Sequence, residues 1–172
     1  KISGRVILLK IMKHQSDILA LKYRPTDFKD LIGQEYLVET IQKSIELNKI
    51  PNAYIFTGIR GVGKTTTARI VAKMLNCTAF DQNNKPDLSN CDQAKAISED
   101  RHPDVIEIDA ASNTSVENAR EIIENVKYNP VLGKYKVYII DEVHMLSKSA
   151  FNALLKTLEE PPPHSKFIFA TT

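Results

Sequence analysis

Residues 54–75 read YIFTGIRGVGKTTTARIVAKML, and this stretch decides the fold. An apolar run, 53–57, leads into Gly58. From there Gly58, Gly63, Lys64 and Thr65 fit the pattern G-x-x-x-x-G-K-[ST]. The glycines let the backbone turn its N–H groups toward a phosphate. Lys64 brings a point charge to the outer phosphates, and Thr65 can set its hydroxyl on Mg²⁺. The helix that follows adds the positive end of its dipole. Gly58, Gly61, Val62, Gly63, Lys64, Thr65 and Thr66 therefore form a candidate cradle for the phosphates of a nucleotide. The competing reading is a chance glycine-rich turn. It does not explain the apolar run before the loop or the helical pattern after it.

Working outward, four apolar runs read as strands: 53–57, 105–109, 136–141 and 166–171. Helical patterns lie over 34–48, 64–76, 115–127 and 148–160. In the third of these Val116, Ala119, Ile122, Ile123 and Val126 share a face, and Thr114 with Glu117 suggests a capping box. Pro161, Pro162 and Pro163 stop the fourth. Strands alternating with helices predict βαβ units, hence an α/β fold with a doubly wound parallel sheet of the P-loop NTPase kind. Residues 78–98 are polar and turn-rich at their start and read as a variable loop. The chain closes on the strand FIFATT, which predicts a domain cut before its last strand.

The bulk numbers exclude some classes. The chain has 172 residues, 42% hydrophobic and 26% charged, which suits one water-soluble domain with a real core. A net charge of +2 argues neither for nor against a nucleic-acid partner. No apolar run approaches the roughly 20 residues of a membrane span, so no membrane partner is expected. Cys77 and Cys91 make no disulfide framework; beside a nucleotide loop they point to a reducing, cytoplasmic compartment. Residues 1–17 read as an extension outside the core. Met12 is a candidate natural start, which would leave 1–11 as upstream sequence.

The segment KVYIIDEVHML, 136–146, narrows the chemistry. Asp141 at a strand's C-terminal end can hold Mg²⁺ through water. Glu142 beside it can polarise an attacking water, which suits ATP hydrolysis better than phosphate transfer to a metabolite. Glu142 as a plain surface carboxylate is the alternative. His144 has no partner visible in the sequence and reads as packing or surface. Thr172 ends the fourth strand, where such sheets face their ligand crevice. It is either a γ-phosphate sensor or a simple strand-end residue.

Taken together, LKYRPTDFKDLIGQ (21–34), the phosphate loop, EIDAAS (107–112), IIDEVHMLSKSAFNALLKTLEEPPPH (139–164) and FIFATT (167–172) resemble the ATPase core of the bacterial DNA polymerase III gamma/tau subunits. These are AAA+ motors of the sliding-clamp loader. The resemblance covers about residues 18–172, which it assigns to one incomplete AAA+ domain. It implies that Arg24, Pro25, Leu31 and Ile32 fold over the adenine base. It sets Thr172, with Thr171 as the neighbouring alternative, at the sensor position. It places Ser112, Asn113 and Thr114 near a DNA backbone, against helix capping for Thr114. The cofactors it implies are ATP and Mg²⁺. The implied partners are other loader subunits in a hetero-oligomeric ring, the sliding clamp and primed DNA. The chain itself would not join nucleotides, although the polymerase holoenzyme it serves does. The alternatives are a non-hydrolysing nucleotide-binding scaffold and another AAA+ DNA-remodelling ATPase.

Two departures qualify the resemblance. The family's loop after the phosphate-loop helix carries four zinc-binding cysteines, whereas here Leu88 and Ala94 stand with Cys77 and Cys91. A structural zinc needs four ligands, so zinc is not expected. The arginine finger and helical lid of the family lie beyond residue 172.

Overall fold

The computed structural model describes Pro25, Asp30 and residues 35–172. Its elements run in the order α1 (Glu35–Glu46), β1 (Ala53–Thr57), α2 (Lys64–Asn76), α3 (Asp92–Ser98), β2 (Val105–Asp109), α4 (Val116–Val126), β3 (Lys136–Asp141), α5 (Lys148–Glu159) and β4 (Ser165–Thr171). Short 3₁₀ turns occupy Leu88–Asn90 and Val143–Met145. Among the described residues no helix is long and apolar enough to cross a membrane.

The four strands form one parallel sheet in the order β1-β4-β3-β2. After β1 the chain crosses to the far edge and then steps back strand by strand. β4 thus ends beside β1, with Thr57 opposite Thr171, and β2 ends beside β3, with Asp109 opposite Asp141. Period-two alternation sends side chains to both faces. Val137, Ile139 and Ile168 pack with α1 and α2, while Tyr138, Ile140, Phe167 and Phe169 pack with α4 and α5. The Tyr138 and Phe167 rings stack at 5.4 Å between centroids. Helices on both faces make the sheet doubly wound, as the strand–helix alternation predicts.

Two corrections concern local structure. The segment 78–98 is not loop throughout: α3 forms over its last seven residues and buries Ala94 and Ile97. Two apolar contacts one turn apart are too few for periodicity to show. Helix α4 is capped by Ser115 rather than Thr114. Ser115 has an extended backbone, and its hydroxyl accepts from the Asn118 N–H. Glu117 then falls one position short of the residue that a capping box requires.

At the N-terminal end of β3 the connection from α4 is held from within. Asp104, fully buried, accepts the backbone N–H groups of Val131, Leu132 and Gly133, each at 2.7 Å. Asn76, at the end of α2, donates to the Tyr135 carbonyl and accepts from the Tyr135 N–H. A Cβ on Gly133 would lie 2.9 Å from the Asn76 side chain, so the close approach requires glycine there.

Candidate functional site

The loop between β1 and α2 wraps the C-terminal end of the sheet. The Gly58 N–H donates to the Thr171 carbonyl at 3.3 Å, tying the loop's start to the end of β4. Gly61 and Gly63 have φ of 83° and 93°, in the left-handed region that disfavours side chains. Open space lies where either would carry a Cβ. Gly63 precedes α2 and offers no side-chain cap, so the first N–H groups of that helix remain available to an anion. The result is an open backbone cradle above a helix N-terminus.

Lys64 is nearly buried and curls over the loop, donating to the carbonyls of Gly58 at 2.8 Å and Ile59 at 3.1 Å. Thr65 donates its hydroxyl to Asp141 Oδ2 at 2.5 Å. Residues 76 positions apart in sequence thus meet because α2 starts where β3 ends. Both are hard oxygen donors, the kind Mg²⁺ selects. The other Asp141 oxygen accepts the Glu142 N–H at 2.9 Å.

Glu142 has φ 49° and ψ 44°, a left-handed conformation unusual for a glutamate. The turn swings its side chain back toward the cleft. Its Oε2 is buried without a hydrogen-bond partner. His144 Nδ1 lies 3.5 Å from that oxygen and 3.0 Å from the Thr171 hydroxyl. His144, read from sequence as packing or surface, therefore stands between the candidate water-polarising carboxylate and the end of β4.

A cleft of about 450 Å³ gathers Arg60, Gly61, Gly63, Lys64, Thr65, Thr66, Asp109, Ala111, Asp141 and Glu142. Sequence reading missed Arg60, Asp109, Ala111 and His144. The signal for Asp109 was available, since it ends β2 in register with Asp141. Asp109 is also occupied locally, accepting from the Ala111 N–H and the Ser112 hydroxyl. Asn113 donates to the Asp109 carbonyl, so Ser112 and Asn113 brace this turn. Val62 is exposed beside the cradle. Thr172 is exposed past the end of β4, and it is the Thr171 hydroxyl that meets His144. Pro25 is half-buried, and Arg24, Leu31 and Ile32 lie outside the described residues.

Cys77 and Cys91 lie together, away from this cleft, in a small apolar cluster with Ala94, Ala79 and Leu88. Leu88 and Ala94 thus contribute apolar contact where the resemblance looks for ligands. Among the described residues no group of three or more His, Cys, Asp or Glu side chains converges as a metal site.

A family model described as DNA polymerase III, delta subunit matches residues 33–172. A DNA polymerase III subunit tau/gamma of Haemophilus influenzae is 52% identical over 155 residues, covering 90% of this chain and 22% of that protein. A DNA polymerase III subunit tau of Escherichia coli is 51% identical over 155 residues, covering 90% and 24%. The chain thus spans less than a quarter of the length of these two relatives. Among solved structures, a DNA polymerase III gamma subunit-related protein of Thermotoga maritima matches with a TM-score of 0.53 and 22% identity, over 78% of this chain and 38% of that one. That likeness supports the P-loop AAA+ fold and nothing finer.

Proposed function

The chain belongs to the DNA polymerase III delta subunit family, and from that membership and the geometry of the cleft we propose that it is the ATP-binding core of a clamp-loader motor subunit. The observation that carries the reading is the open glycine cradle beside the Thr65–Asp141 contact, with Glu142 turned back toward the same cleft. The cradle and the start of α2 take the phosphates, and Lys64 leaves its loop carbonyls for the phosphate oxygens. Thr65 and Asp141 are the residues that would hold Mg²⁺, which when bound neutralises charge on the outer phosphates. Glu142 accepts a proton from an attacking water and orients it, at an Oε2 with no competing hydrogen bond. His144 and Thr171 form the link through which the end of β4 positions Glu142. In the full protein, hydrolysis would be coupled to loading a sliding clamp on primed DNA in the cytoplasm, within a ring of loader subunits.

The second reading is a nucleotide-binding scaffold that does not hydrolyse. The family model is described by the delta subunit, whereas the relatives are tau and gamma. The joint presence of Lys64, Thr65, Asp141 and Glu142 in one cleft favours the motor.

The test of the binding site is Lys64→Ala. Each lost charge-assisted hydrogen bond is worth about 1.5–3 kcal/mol. A calorimetric titration with ATP–Mg²⁺ is therefore expected to show affinity about 10- to 100-fold weaker or more. Equal affinity of the two proteins would remove Lys64 from the site.

His144→Ala tests the link to β4. A displacement of Glu142 on the ångström scale is expected to lower kcat about 10- to 100-fold with ATP affinity unchanged. His144→Asn, which keeps a polar group near the position of Nδ1, should recover part of the rate. Equal loss in both variants would leave His144 with a packing role alone.

A further inference from the structure

We propose that Cys77 and Cys91 are an oxidation site, which a peroxide converts to an intramolecular disulfide closing the 77–91 loop. The inference is independent of the nucleotide reading. Cys77 follows α2 directly as its C-terminal cap, and Cys91 precedes α3 as its N-terminal cap. The packing of α2 on α3 brings these two helix ends together, so residues separated by a whole polar loop share one cluster. The Cys77 thiol faces the carbonyls of Ala79 at 3.2 Å and Asp87 at 3.6 Å, at the two ends of the loop that Cys91 closes. Both are free thiols and both are buried, at 7% and 4% exposure.

What surrounds them limits their chemistry. Ala79, Leu88 and Ala94 pack around the sulfurs and supply no ligand atom from their side chains. A pair of thiols in an apolar shell has too few donors for a structural metal, which takes four. It does hold a second thiol in the same small cluster, which oxidation to a disulfide requires.

The pair is also asymmetric. Burial above all, with the neighbouring Cys91, pushes the Cys77 thiol up to about 12, so it stays protonated. Burial also pushes Cys91 up, but the neighbouring Cys77 thiol and the backbone N–H groups around it outweigh that, leaving Cys91 below the ordinary thiol range. Cys91 is thus the nucleophile and Cys77 the resolving thiol. The Cys91 thiolate attacks one oxygen of hydrogen peroxide, the O–O bond breaks, and hydroxide leaves with Cys91 as a sulfenic acid. Cys77 sulfur then displaces the sulfenic hydroxyl, and its proton leaves with that oxygen as water. Overall two thiols and one peroxide give one disulfide and two waters. The sulfurs lose two electrons and the peroxide gains them. A dithiol reductant reverses the step.

The experiment treats the reduced, purified protein with a stoichiometric amount of hydrogen peroxide, then alkylates and maps the peptides by mass spectrometry. The expected product is one peptide pair joined through Cys77 and Cys91, lighter by two hydrogens and released by a dithiol reductant. Closing a loop of about 15 residues is also expected to raise Tm by roughly 5–10 °C. Cys91→Ser should give no cross-link and leave Cys77 open to alkylation after unfolding. The wild-type peptide map decides the matter even if that variant folds poorly. Sulfinic acid at either cysteine without a cross-link, disulfides only between chains, or two thiols still free after treatment would overturn the proposal. So would a stoichiometric zinc held by the two thiols in the purified protein.

Discussion

Glu142→Gln is expected to lower ATP turnover by about 10²–10⁴-fold, the usual contribution of a positioned general base, while sparing ATP–Mg²⁺ binding. The substitution keeps the shape of the side chain and removes its charge. It leaves the cradle, Lys64 and the Thr65–Asp141 contact untouched, and these are the groups to which we assign binding. The selectivity of the effect follows from the structure. Glu142 reaches the cleft through its own left-handed turn, and its Oε2 makes no hydrogen bond, only the 3.5 Å approach of His144 Nδ1, which the glutamine amide can also meet. The measurement is steady-state hydrolysis by the full-length protein assembled with the loader subunits and primed DNA that the proposed function calls for. The family resemblance places an arginine from a neighbouring subunit at the transferring phosphate, worth about 10³–10⁵ in rate. A variant that turns over ATP at the wild-type rate would show that Glu142 polarises no water. A wild-type assembly that binds ATP without turnover would favour the scaffold reading.

Asp104→Ala is expected to be the most damaging single change to stability. Asp104 is fully buried and accepts three backbone N–H groups of the 131–133 turn. Its own N–H donates to His102 Nδ1, which fixes the backbone around it. Removing the carboxylate leaves those three donors without their acceptor, at about 1–3 kcal/mol each. Some will find water, so a net loss of about 3–5 kcal/mol is expected, against total stabilities of about 5–15 kcal/mol for a domain. Tm should fall by roughly 10 °C or more. The effect should also depend on pH. Burial pushes the Asp104 carboxyl up, but the Gly133, Val131 and Leu132 N–H groups outweigh it and hold it below the usual carboxylate range. A folded pKa below the unfolded one means that the stabilisation is fully present above the unfolded pKa of about 4. It is lost as pH falls through the folded value. Denaturant titrations should therefore show wild type and Asp104→Ala far apart at neutral pH and converging in acid below about pH 4. A constant gap across that range would mean that the carboxylate charge is not what holds the turn.

How much of this was legible beforehand differs by residue. Strand and helix patterns are local, and so is the phosphate loop, whose glycines and lysine act within one turn of chain. Spacing alone therefore placed all four strands within a residue of their observed bounds. Asp141 and Glu142 were readable because an acid pair ending an apolar run sits at the end of a strand wherever that strand lies in the sheet. Helix α3 escaped because its buried side is only two residues wide. The sequence points to Thr114 because a hydroxyl three residues before a glutamate is a recognisable pattern, whereas the cap at Ser115 is decided by backbone angles.

By itself, then, the sequence determined the α/β class, the glycine-rich loop between a strand and a helix, and the acid pair at a strand end, because each is written within a few consecutive residues. Only the tertiary structure decided that Thr65 touches Asp141, that His144 spans from Glu142 to Thr171, that Asp109 enters the cleft, that Asp104 anchors a turn 27 to 29 residues away, and that Cys77 meets Cys91. All five depend on which strand and helix ends become neighbours. The sheet order β1-β4-β3-β2 sets this for the first four and the packing of α2 on α3 for the fifth, and both follow from burying apolar faces together, a property of the whole chain that no short window contains.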